Sequence, residues 1–253
     1  MSGADATDPG AHFLAGAEDY AAFRPGYPPD LTSALAGLAP DRALVVDVGC
    51  GSGQLTRALA RHFDSVVGVD VSQAQLAAAD PDPRIRYVQA SSDALPVPDR
   101  SAALITAGQA AHWFDLPRFY DEVRRAARPG GVVALISYGP LRLKGPLADL
   151  FDRFYGTELR PFWPPERLHV DRGYRDLPFP FLELSLPPSS MDLAWPLDRL
   201  FGYVRSWSAS KAAIAAGSAD LIDRWEAGVR AILPVGAVVK ARSELATRVG
   251  RIE

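Results

Sequence analysis

Between residues 43 and 138 the chain alternates short apolar, β-branched runs with segments whose apolar residues recur at helical spacing. The apolar runs predict strands buried on both faces; they cover residues 43–48, 65–70, 85–90, 101–108 and 132–138. Helices are predicted between them, at residues 54–63, 73–79 and 116–128. Strands that alternate with helices predict an α/β fold with a doubly wound, mostly parallel sheet. Ligands of such sheets bind beyond the carboxyl ends of the strands, so a site is expected at that edge.

The pattern changes after residue 138. Pro146 is suited to start a helix, and the apolar residues that follow lie on one helical face; they are Leu147, Leu150, Phe151, Phe154 and Tyr155. An aromatic, proline-rich and cationic stretch comes next. Residues 140–180 are too long for a plain connection, and we expect an insertion that covers the site.

The C-terminal residues are expected to complete the sheet. Residues 181–186 and 191–195 predict the two strands of a hairpin, with residues 187–190 between them. A helix is predicted around residues 197–207. Residues 238–249 predict a last strand that returns antiparallel to the edge of the sheet.

Composition and charge narrow the classes of function. The chain has 253 residues, 48% of them hydrophobic, which suits one substantial core with an insertion. A formal net charge of −3, without a long run of like charges, argues against nucleic acid as a partner. No apolar stretch is long enough to span a bilayer and residues 1–16 lack a secretory pattern, so a cytoplasmic protein without a membrane partner is expected. The single cysteine, Cys50, excludes an intrachain disulfide and a cysteine-based zinc site, and no metal site is predicted.

A glycine-rich loop follows the first predicted strand in VVDVGCGSGQ, residues 45–54. Its spacing, Gly49-x-Gly51-x-Gly53, differs from the G-x-G-x-x-G fingerprint whose helix N-terminus approaches a pyrophosphate. Asp47, two residues before the first glycine, would repel a pyrophosphate but suits a ligand that carries an ammonium group. S-adenosylmethionine is such a ligand.

Polar residues also follow the next two strands. Asp70 ends the second strand, where an acidic side chain can accept both hydroxyls of an adenosyl ribose. That feature alone does not separate NAD from S-adenosylmethionine. Ser91, Ser92 and Asp93 follow the third strand and can meet an adenine edge. The three strand ends together outline one adenosyl site.

Four motifs, VVDVGCGSGQ, GVDVS, SSDALPVPDRS and ARPGGVVAL, make residues 41–139 resemble the class I methyltransferases of the type-11 group. YAAFRPGYP (20–28), AGQAAHWFD (107–115) and WPPERLHVDRGYRDLPFPF (163–181) resemble the trans-aconitate and toxoflavin methyltransferase-like enzymes. One departure is Ser91, which stands where many of these enzymes carry an acidic residue for the adenine amino group. The resemblance implies a seven-stranded Rossmann-like methyltransferase sheet, S-adenosylmethionine as cofactor and a small-molecule methyl acceptor.

The same resemblance divides the chain into an N-terminal lid (1–40), a cofactor-binding core (41–139), a substrate-capping insertion (140–180) and a part that completes the sheet and the cap (181–253). In the lid, Arg24 is expected to pair with the methionyl carboxylate and Tyr20 to donate a hydroxyl. The expected cofactor contacts are Tyr20, Arg24, Asp47, Gly49, Gly51, Gly53, Gln54, Asp70, Val71, Ser91, Ser92, Asp93 and Gln109. The expected acceptor contacts are Tyr27, His112, Tyr138, Trp163, His169 and Tyr174, and the candidate catalytic residues are His112 and Trp113.

The acceptor depends on whether its nucleophile needs a base. A carboxylate, with a pKa of about 4, is ionised near neutrality, whereas a hydroxyl or heteroaromatic nitrogen generally needs a base such as His112. Arginines crowd the insertion and suit an anionic acceptor; they are Arg142, Arg160, Arg167, Arg172 and Arg175. We therefore favour carboxylate O-methylation and keep O- or N-methylation of the other acceptors as the alternative.

Other interpretations of the same residues remain open. The stretch HWFDLP also suits the start of a helix, with Asp115 as its cap and Trp113 as packing. An NAD-dependent oxidoreductase is disfavoured by the glycine spacing and by the lack of a Tyr-x-x-x-Lys pair. A methyltransferase fold kept as a binding module without turnover is disfavoured by the intact cofactor motifs. Monomer and homodimer are both compatible with the sequence.

Overall fold

The structure is a computed structural model, and it describes residues 23–253. Within these residues it contains one eight-stranded sheet with helices on both faces, and the predicted α/β, doubly wound fold is confirmed. The strands are β1 (Leu44–Val48), β2 (Ser65–Asp70), β3 (Ile85–Gln89), β4 (Ala102–Gly108), β5 (Ala127–Tyr138), β6 (Leu182–Leu184), β7 (Ser189–Pro196) and β8 (Val238–Arg251). The helices are α1 (Pro29–Leu38), α2 (Gln54–Leu59), α3 (Gln73–Ala77), α4 (Leu116–Ala126), α5 (Pro146–Arg153), α6 (Arg167–Asp171), α7 (Leu197–Arg205), α8 (Ser208–Ala215) and α9 (Asp220–Ile232).

The first five strands form the parallel half of the sheet in the order β3-β2-β1-β4-β5. Their runs of valine, isoleucine and leucine are buried because helices cover both faces, which is the environment that favours β-branched residues. Asp47 pairs in register with Gly68 of β2 and with Thr106 of β4. The order reverses between β1 and β4, so a crevice opens beyond their carboxyl ends.

The other half of the sheet corrects two predictions. Residues 181–186 and 191–195 do not pair with each other as a hairpin, since β6 and β7 both pair antiparallel with β8. Their registers place Leu184 opposite Val249 and Ser189 opposite Leu245, so they follow one another along β8. The intervening Pro187 and Pro188 have no backbone N–H to continue the ladder, so β6 and β7 are separate strands, and the sheet has eight strands where the family resemblance implied seven.

The last strand is also placed differently from the prediction. β8 is antiparallel to β5, as expected, but it lies between β5 and β6 instead of at the edge of the sheet. With 14 residues it is long enough to pair β6 through its C-terminal end and β7 through its N-terminal end. The edge position therefore belongs to β6 and β7.

Helix boundaries follow local chemistry. The Asp115 carboxylate caps α4 by accepting a hydrogen bond from the Arg118 backbone N–H at 3.4 Å. The helix ends at Ala126, two residues before the predicted end, because Pro129 restricts the residue before it to extended backbone. α2 ends at Leu59, before its predicted end at residue 63, and the chain continues in hydrogen-bonded turns.

Three groups of buried apolar side chains hold these layers together. Two of them fill the faces of the sheet, one beneath α4 and the other beneath α1 and α2. The third joins α5 to α7, α8 and α9, and we call this layer the cap. Phe154 stacks on Trp225 inside the cap, with ring centroids 4.9 Å apart. The predicted insertion is thus divided, since its first half packs in the cap and its second half, including Val170 and Tyr174, packs on the sheet.

None of the helices within residues 23–253 combines the length and the apolar composition needed to cross a bilayer.

Candidate active site

The first cavity lies at the carboxyl ends of β1 to β5 and has a volume of about 360 Å³. It occupies the crevice between β1 and β4. Most of the predicted cofactor contacts line it, namely Arg24, Asp47, Gly49, Gly51, Gln54, Asp70, Val71, Ser91, Ser92, Asp93 and Gln109. Gly53 is not among the lining residues, and the predicted contact Tyr20 lies outside the described residues.

The three glycines form the turn between β1 and α2. Gly49, Gly51 and Gly53 have φ values of 67°, 54° and 85°, in a left-handed region that residues other than glycine rarely adopt. A Cβ on Gly49 would collide with the side chain of Ala110, and a Cβ on Gly53 would collide with the Tyr87 hydroxyl. Gly53 therefore lets the loop pack on β3, while Gly49 and Gly51 present backbone to the cavity.

Asp47 is a buried carboxylate with a hydrogen-bond donor on each oxygen. The Thr56 hydroxyl donates to Oδ2 at 2.7 Å, and the Thr106 hydroxyl donates to Oδ1 at 2.8 Å. These partners come from α2 and β4, so the carboxylate joins the helix to the sheet below the glycine loop. Burial raises the pKa of Asp47 to about 6, against the lowering effect of the two hydroxyls. The site therefore keeps a costly negative charge at neutral pH.

Asp70 joins the ends of β1 and β2. Its Oδ2 accepts the Gly51 backbone N–H at 2.8 Å, and its Oδ1 accepts the Ser72 backbone N–H at 2.9 Å. Burial raises the pKa of this carboxyl. A carboxylate oxygen can accept more than one hydrogen bond, so each oxygen can still receive a hydroxyl of a ligand in the first cavity.

The open end of the first cavity is formed by the residues after β2 and β3. Val71 is 49% exposed there, and Ser91, Ser92 and Asp93 form another part of the cavity wall. The Ser91 hydroxyl lowers the pKa of Asp93, and Arg118 adds an ion pair at 3.5 Å. This wall thus offers hydroxyl groups and one carboxylate that stays ionised.

Arg24 and Gln109 lie where the first cavity approaches the cap. The Arg24 guanidinium donates to the Tyr138 hydroxyl at 3.4 Å and to the Ser206 carbonyl oxygen at 3.5 Å. Gln109 has a left-handed φ of 55°, and its side-chain Nε2 donates to the Tyr138 carbonyl oxygen at 2.9 Å. The N-terminal segment is therefore connected to both β5 and the cap beside the cavity.

A second cavity of about 80 Å³ adjoins the first beneath the cap. The two cavities share four lining residues, Arg24, Gln75, Gln109 and Trp113. Aromatic rings of the cap form much of the second wall; they are Tyr155, Trp163, Tyr203 and Trp207. A group held there lies beside whatever occupies the first cavity.

Arg167 supplies a charge to this second wall. Its Nε donates to the Tyr155 hydroxyl at 3.0 Å and to the Asp171 carboxylate at 3.2 Å. Its guanidinium carbon lies 4.8 Å from the centroid of the Trp163 ring. Among the described residues, its two Nη groups donate no hydrogen bond to a protein atom. They remain able to bind an anion in the second cavity.

His112 lines the second cavity at the end of the loop after β4. Its Nδ1 lies 2.8 Å from the Tyr174 hydroxyl oxygen. Burial lowers the pKa of His112 to about 3, and electrostatic interactions with Arg167 and His169 act in the same direction. The imidazole is therefore neutral throughout the physiological pH range.

The predicted acceptor contacts are divided between the two cavities and their surroundings. Tyr27 and Tyr138 line the first cavity, whereas His112 and Trp163 line the second, and the candidate catalytic Trp113 lines both. Tyr174 lies behind His112 and lines neither cavity. His169 also lines neither cavity, and its Nδ1 lies 3.1 Å from the Asp176 carboxylate.

Several lining residues were missed by the sequence analysis. Gln75, Tyr155, Tyr203, Trp207 and Lys211 line the second cavity. Tyr203, Trp207 and Lys211 recur at every fourth residue, a spacing that could have grouped them, but they span the junction between α7 and α8, and Gln75 and Tyr155 come from distant segments. Of the five insertion arginines singled out from the sequence, Arg167 alone lines a described cavity. The other four are exposed; they are Arg142, Arg160, Arg172 and Arg175. The number of arginines in the insertion indicated an anionic acceptor, but it did not indicate which arginine lines a cavity.

Comparisons with known proteins agree with this geometry. A family model described as a methyltransferase domain matches residues 46–135. A Dictyostelium discoideum protein that is named as a methyltransferase is 33% identical over 209 residues, which cover 81% of this chain and 80% of that protein. A solved structure from Anaeromyxobacter dehalogenans, described as a type II methyltransferase, is 41% identical with a TM-score of 0.85 and covers 91% of this chain and 99% of its own. The malonyl-[acyl-carrier protein] O-methyltransferase of Pectobacterium atrosepticum is 32% identical over 116 residues, which cover 45% of this chain and 46% of that enzyme.

Proposed function

The chain belongs to the class I S-adenosylmethionine-dependent methyltransferases, and we propose that it methylates a carboxylate of a small-molecule acceptor bound in the second cavity. S-adenosylmethionine supplies a methyl group that is already activated as a sulfonium. The chain then has to hold the acceptor oxygen close and aligned and to exclude water. The match to a malonyl-[acyl-carrier protein] O-methyltransferase supports oxygen as the accepting atom.

The residues of the first cavity fit S-adenosylmethionine. Its volume of about 360 Å³ lies in the usual range for small-ligand sites, roughly 300–1,000 Å³. Asp70 offers two carboxylate oxygens to the ribose hydroxyls, and Asp47 supplies negative charge for the ammonium group. Arg24 supplies positive charge for the methionyl carboxylate. Ser91 and Ser92 offer hydroxyl groups to the adenine edge.

The observation that carries the acceptor assignment is the charge of the second cavity. Arg24, Arg167 and Lys211 line it, and no aspartate or glutamate is among its described lining residues. The ion pair with Asp171 offsets part of the Arg167 charge, yet the two Nη groups of Arg167 have no hydrogen-bond partner among the described residues. A partly buried guanidinium with free N–H groups binds carboxylates well, because its planar fork matches the two oxygens.

The state of His112 supports the same class of acceptor. With a pKa of about 3, this imidazole is a poor base for removing a proton from a hydroxyl near neutral pH. A carboxylate, with a pKa of about 4, needs no base. We therefore expect kcat to change little between pH 6 and pH 8. A rise with an apparent pKa near 6.5 would favour a hydroxyl or ring-nitrogen acceptor, with His112 as its base.

The test is a product screen with S-adenosylmethionine labelled in the methyl group and pools of small carboxylic acids. Methyl esters release labelled methanol in mild alkali, whereas methyl ethers and N-methyl products keep the label. Labelled methanol is the expected result. Label that appears only in alkali-stable products would overturn the carboxylate assignment and leave the family unchanged.

A matched pair of arginine variants then tests the site. Arg167→Met should lower kcat/KM for the acceptor by roughly 10- to 150-fold, the equivalent of losing about 1.5–3 kcal/mol from a charged hydrogen bond. Binding of S-adenosylhomocysteine should be unchanged, which also shows that the variant folds. Arg160→Met is the control, because Arg160 is exposed and lines neither cavity. Equal kcat/KM values for the two variants would place the acceptor elsewhere.

A further inference from the structure

We propose that Tyr174 is a positioning residue that keeps the imidazole proton of His112 on Nε2, so that His112 presents a hydrogen-bond donor to the second cavity. The position of this proton follows from the hydrogen bonds around the ring and holds for the protein without ligands. Its consequence for the acceptor rests on the proposed function.

The hydrogen bond between the two side chains fixes the direction of donation. The Tyr174 hydroxyl oxygen lies 2.8 Å from His112 Nδ1, and the Tyr174 side chain is fully buried. Among the described residues, Nδ1 is the only acceptor within hydrogen-bond distance of this hydroxyl. If Nδ1 carried the proton, the hydroxyl proton of Tyr174 would be buried without an acceptor, which is unfavourable. The arrangement that satisfies both groups has Tyr174 donating to Nδ1 and the ring proton on Nε2.

The Tyr174 ring is held by the backbone around it. Gly173 and Tyr174 both have left-handed φ values, 61° and 60°, and this conformation is uncommon for a bulky residue. The Tyr174 N–H donates to the His169 carbonyl oxygen at 2.8 Å, and the Tyr174 carbonyl oxygen accepts from Arg248 at 3.3 Å. Because Arg248 belongs to β8, the hydroxyl is positioned from the sheet and not from the cap.

The charges around His112 keep the ring neutral. Arg167 and His169 of α6 disfavour the imidazolium form, and burial lowers the pKa of His112 to about 3. The other titratable groups that face it across the second cavity are Arg24, Tyr155, Tyr203 and Lys211. Burial raises the pKa of Tyr174, so its hydroxyl keeps its proton as well. The donor on Nε2 is therefore present throughout the physiological pH range.

This arrangement has a consequence for acceptor choice. A neutral imidazole with its proton on Nε2 can donate to an oxygen that is already ionised, but it cannot take a proton through that atom. His112 would then hold an anionic oxygen beside the methyl group together with Arg167. An acceptor that has to lose a proton during transfer would find no base at this position.

Nitrogen-15 NMR of the histidine rings tests the proposal without any acceptor. The chain has four histidines, and the His112 signals are identified by their loss in His112→Asn. The expected spectrum shows an unprotonated Nδ1 and a protonated Nε2, unchanged from pH 5.5 to pH 8. Tyr174→Phe should shift the Nδ1 signal and give a mixture of the two tautomers. Tyr120→Phe is the matched control, since Tyr120 is also buried but donates to the Pro178 carbonyl oxygen at 2.7 Å.

The outcomes separate this proposal from the proposed function. A protonated Nδ1 in the unmodified protein, or a ring that titrates near pH 6.5, would overturn it whichever acceptor is used. So would a Tyr174→Phe variant that binds S-adenosylhomocysteine normally and leaves both ring nitrogens unshifted. If Tyr174→Phe does not fold, the tautomer of the unmodified protein still decides the question. Failure of the carboxylate screen with the expected spectrum would refute the acceptor and retain the tautomer.

Discussion

Replacing Asp47 with asparagine should stabilise the protein without ligand and weaken its binding of S-adenosylmethionine. Asp47 is 1% exposed, and burial raises its pKa from 3.8 to about 6. At 1.36 kcal/mol for each pKa unit, ionised Asp47 costs the folded state about 3 kcal/mol at neutral pH. An asparagine carries no charge, and its amide can donate to one threonine hydroxyl and accept from the other.

The sign of the pH dependence follows from the direction of the pKa change. Since the folded state holds the Asp47 proton more tightly than the unfolded state, the contribution of Asp47 to stability is greatest below pH 3.8 and is lost as the pH rises through about 6. Other groups cancel between the two proteins. The free energy of unfolding of Asp47→Asn, relative to the unmodified protein, should therefore increase by about 2–3 kcal/mol from pH 4 to pH 7.

Urea unfolding at pH 4, 5, 6 and 7 measures this difference, and isothermal titration calorimetry measures the affinity for S-adenosylmethionine. Asp121→Asn is the control because its side chain is 83% exposed, so this replacement removes no buried charge. A flat difference for Asp47→Asn would refute the account of Asp47 as a strained, buried charge. A more stable variant with unchanged affinity would refute its role towards the ammonium group.

Three further expectations concern the first cavity and its surroundings. Asp70→Ala should weaken S-adenosylmethionine binding by about 1.5–3 kcal/mol, because it removes a charged acceptor and leaves the Gly51 N–H without its hydrogen-bond acceptor. Unchanged affinity in calorimetry would reject the assignment of Asp70 to the ribose hydroxyls. Gly49→Ala should destabilise the fold by at least about 1–2 kcal/mol and abolish binding, because a side chain at this backbone conformation is strained and collides with Ala110. The control Gly37→Ala in α1, which has open space around it, should stabilise the fold by about 0.5–1 kcal/mol, and equal unfolding midpoints for the two variants would contradict this account. Hydrogen exchange in residues 23–28 and 140–180 should slow when S-adenosylhomocysteine is added, because these segments contribute Arg24 and Trp163 to the cavity walls. Identical exchange with and without the ligand would exclude a lid formed by these segments.

The parts of the structure that depend on local sequence could be predicted. The five parallel strands follow from short β-branched runs, and the glycine turn follows from the spacing around Cys50. Asp47 and Asp70 could be placed in the first cavity because the carboxyl ends of parallel strands meet at one edge of a sheet. Periodicity and strand ends depend only on residues that are close together in the sequence, so they can be recognised from a single sequence.

The antiparallel half of the sheet required the tertiary structure. The segments that became β6 and β7 carry the period and the turn of a hairpin, yet each finds its partner in β8, more than forty residues later. Which strand pairs with which depends on where the cap returns the chain to the sheet. That choice is made by non-local packing, and a local pattern cannot show it.

The second cavity likewise depends on contacts between distant segments that the sequence does not show. Arg167 and Arg172 look alike in the sequence, but Arg167 lies against Trp163 beside the cavity, whereas Arg172 is exposed and pairs with Asp176. Tyr174 could be named as a residue of the site, but its position behind His112 depends on a left-handed turn and on Arg248 of a distant strand. The sequence by itself determined the fold class and most of the residues that line the first cavity, because strand ends and glycine spacing specify them locally. Only the tertiary structure decided which cations line the second cavity and which imidazole nitrogen contacts Tyr174, because burial and hydrogen-bond partners arise when distant segments pack together.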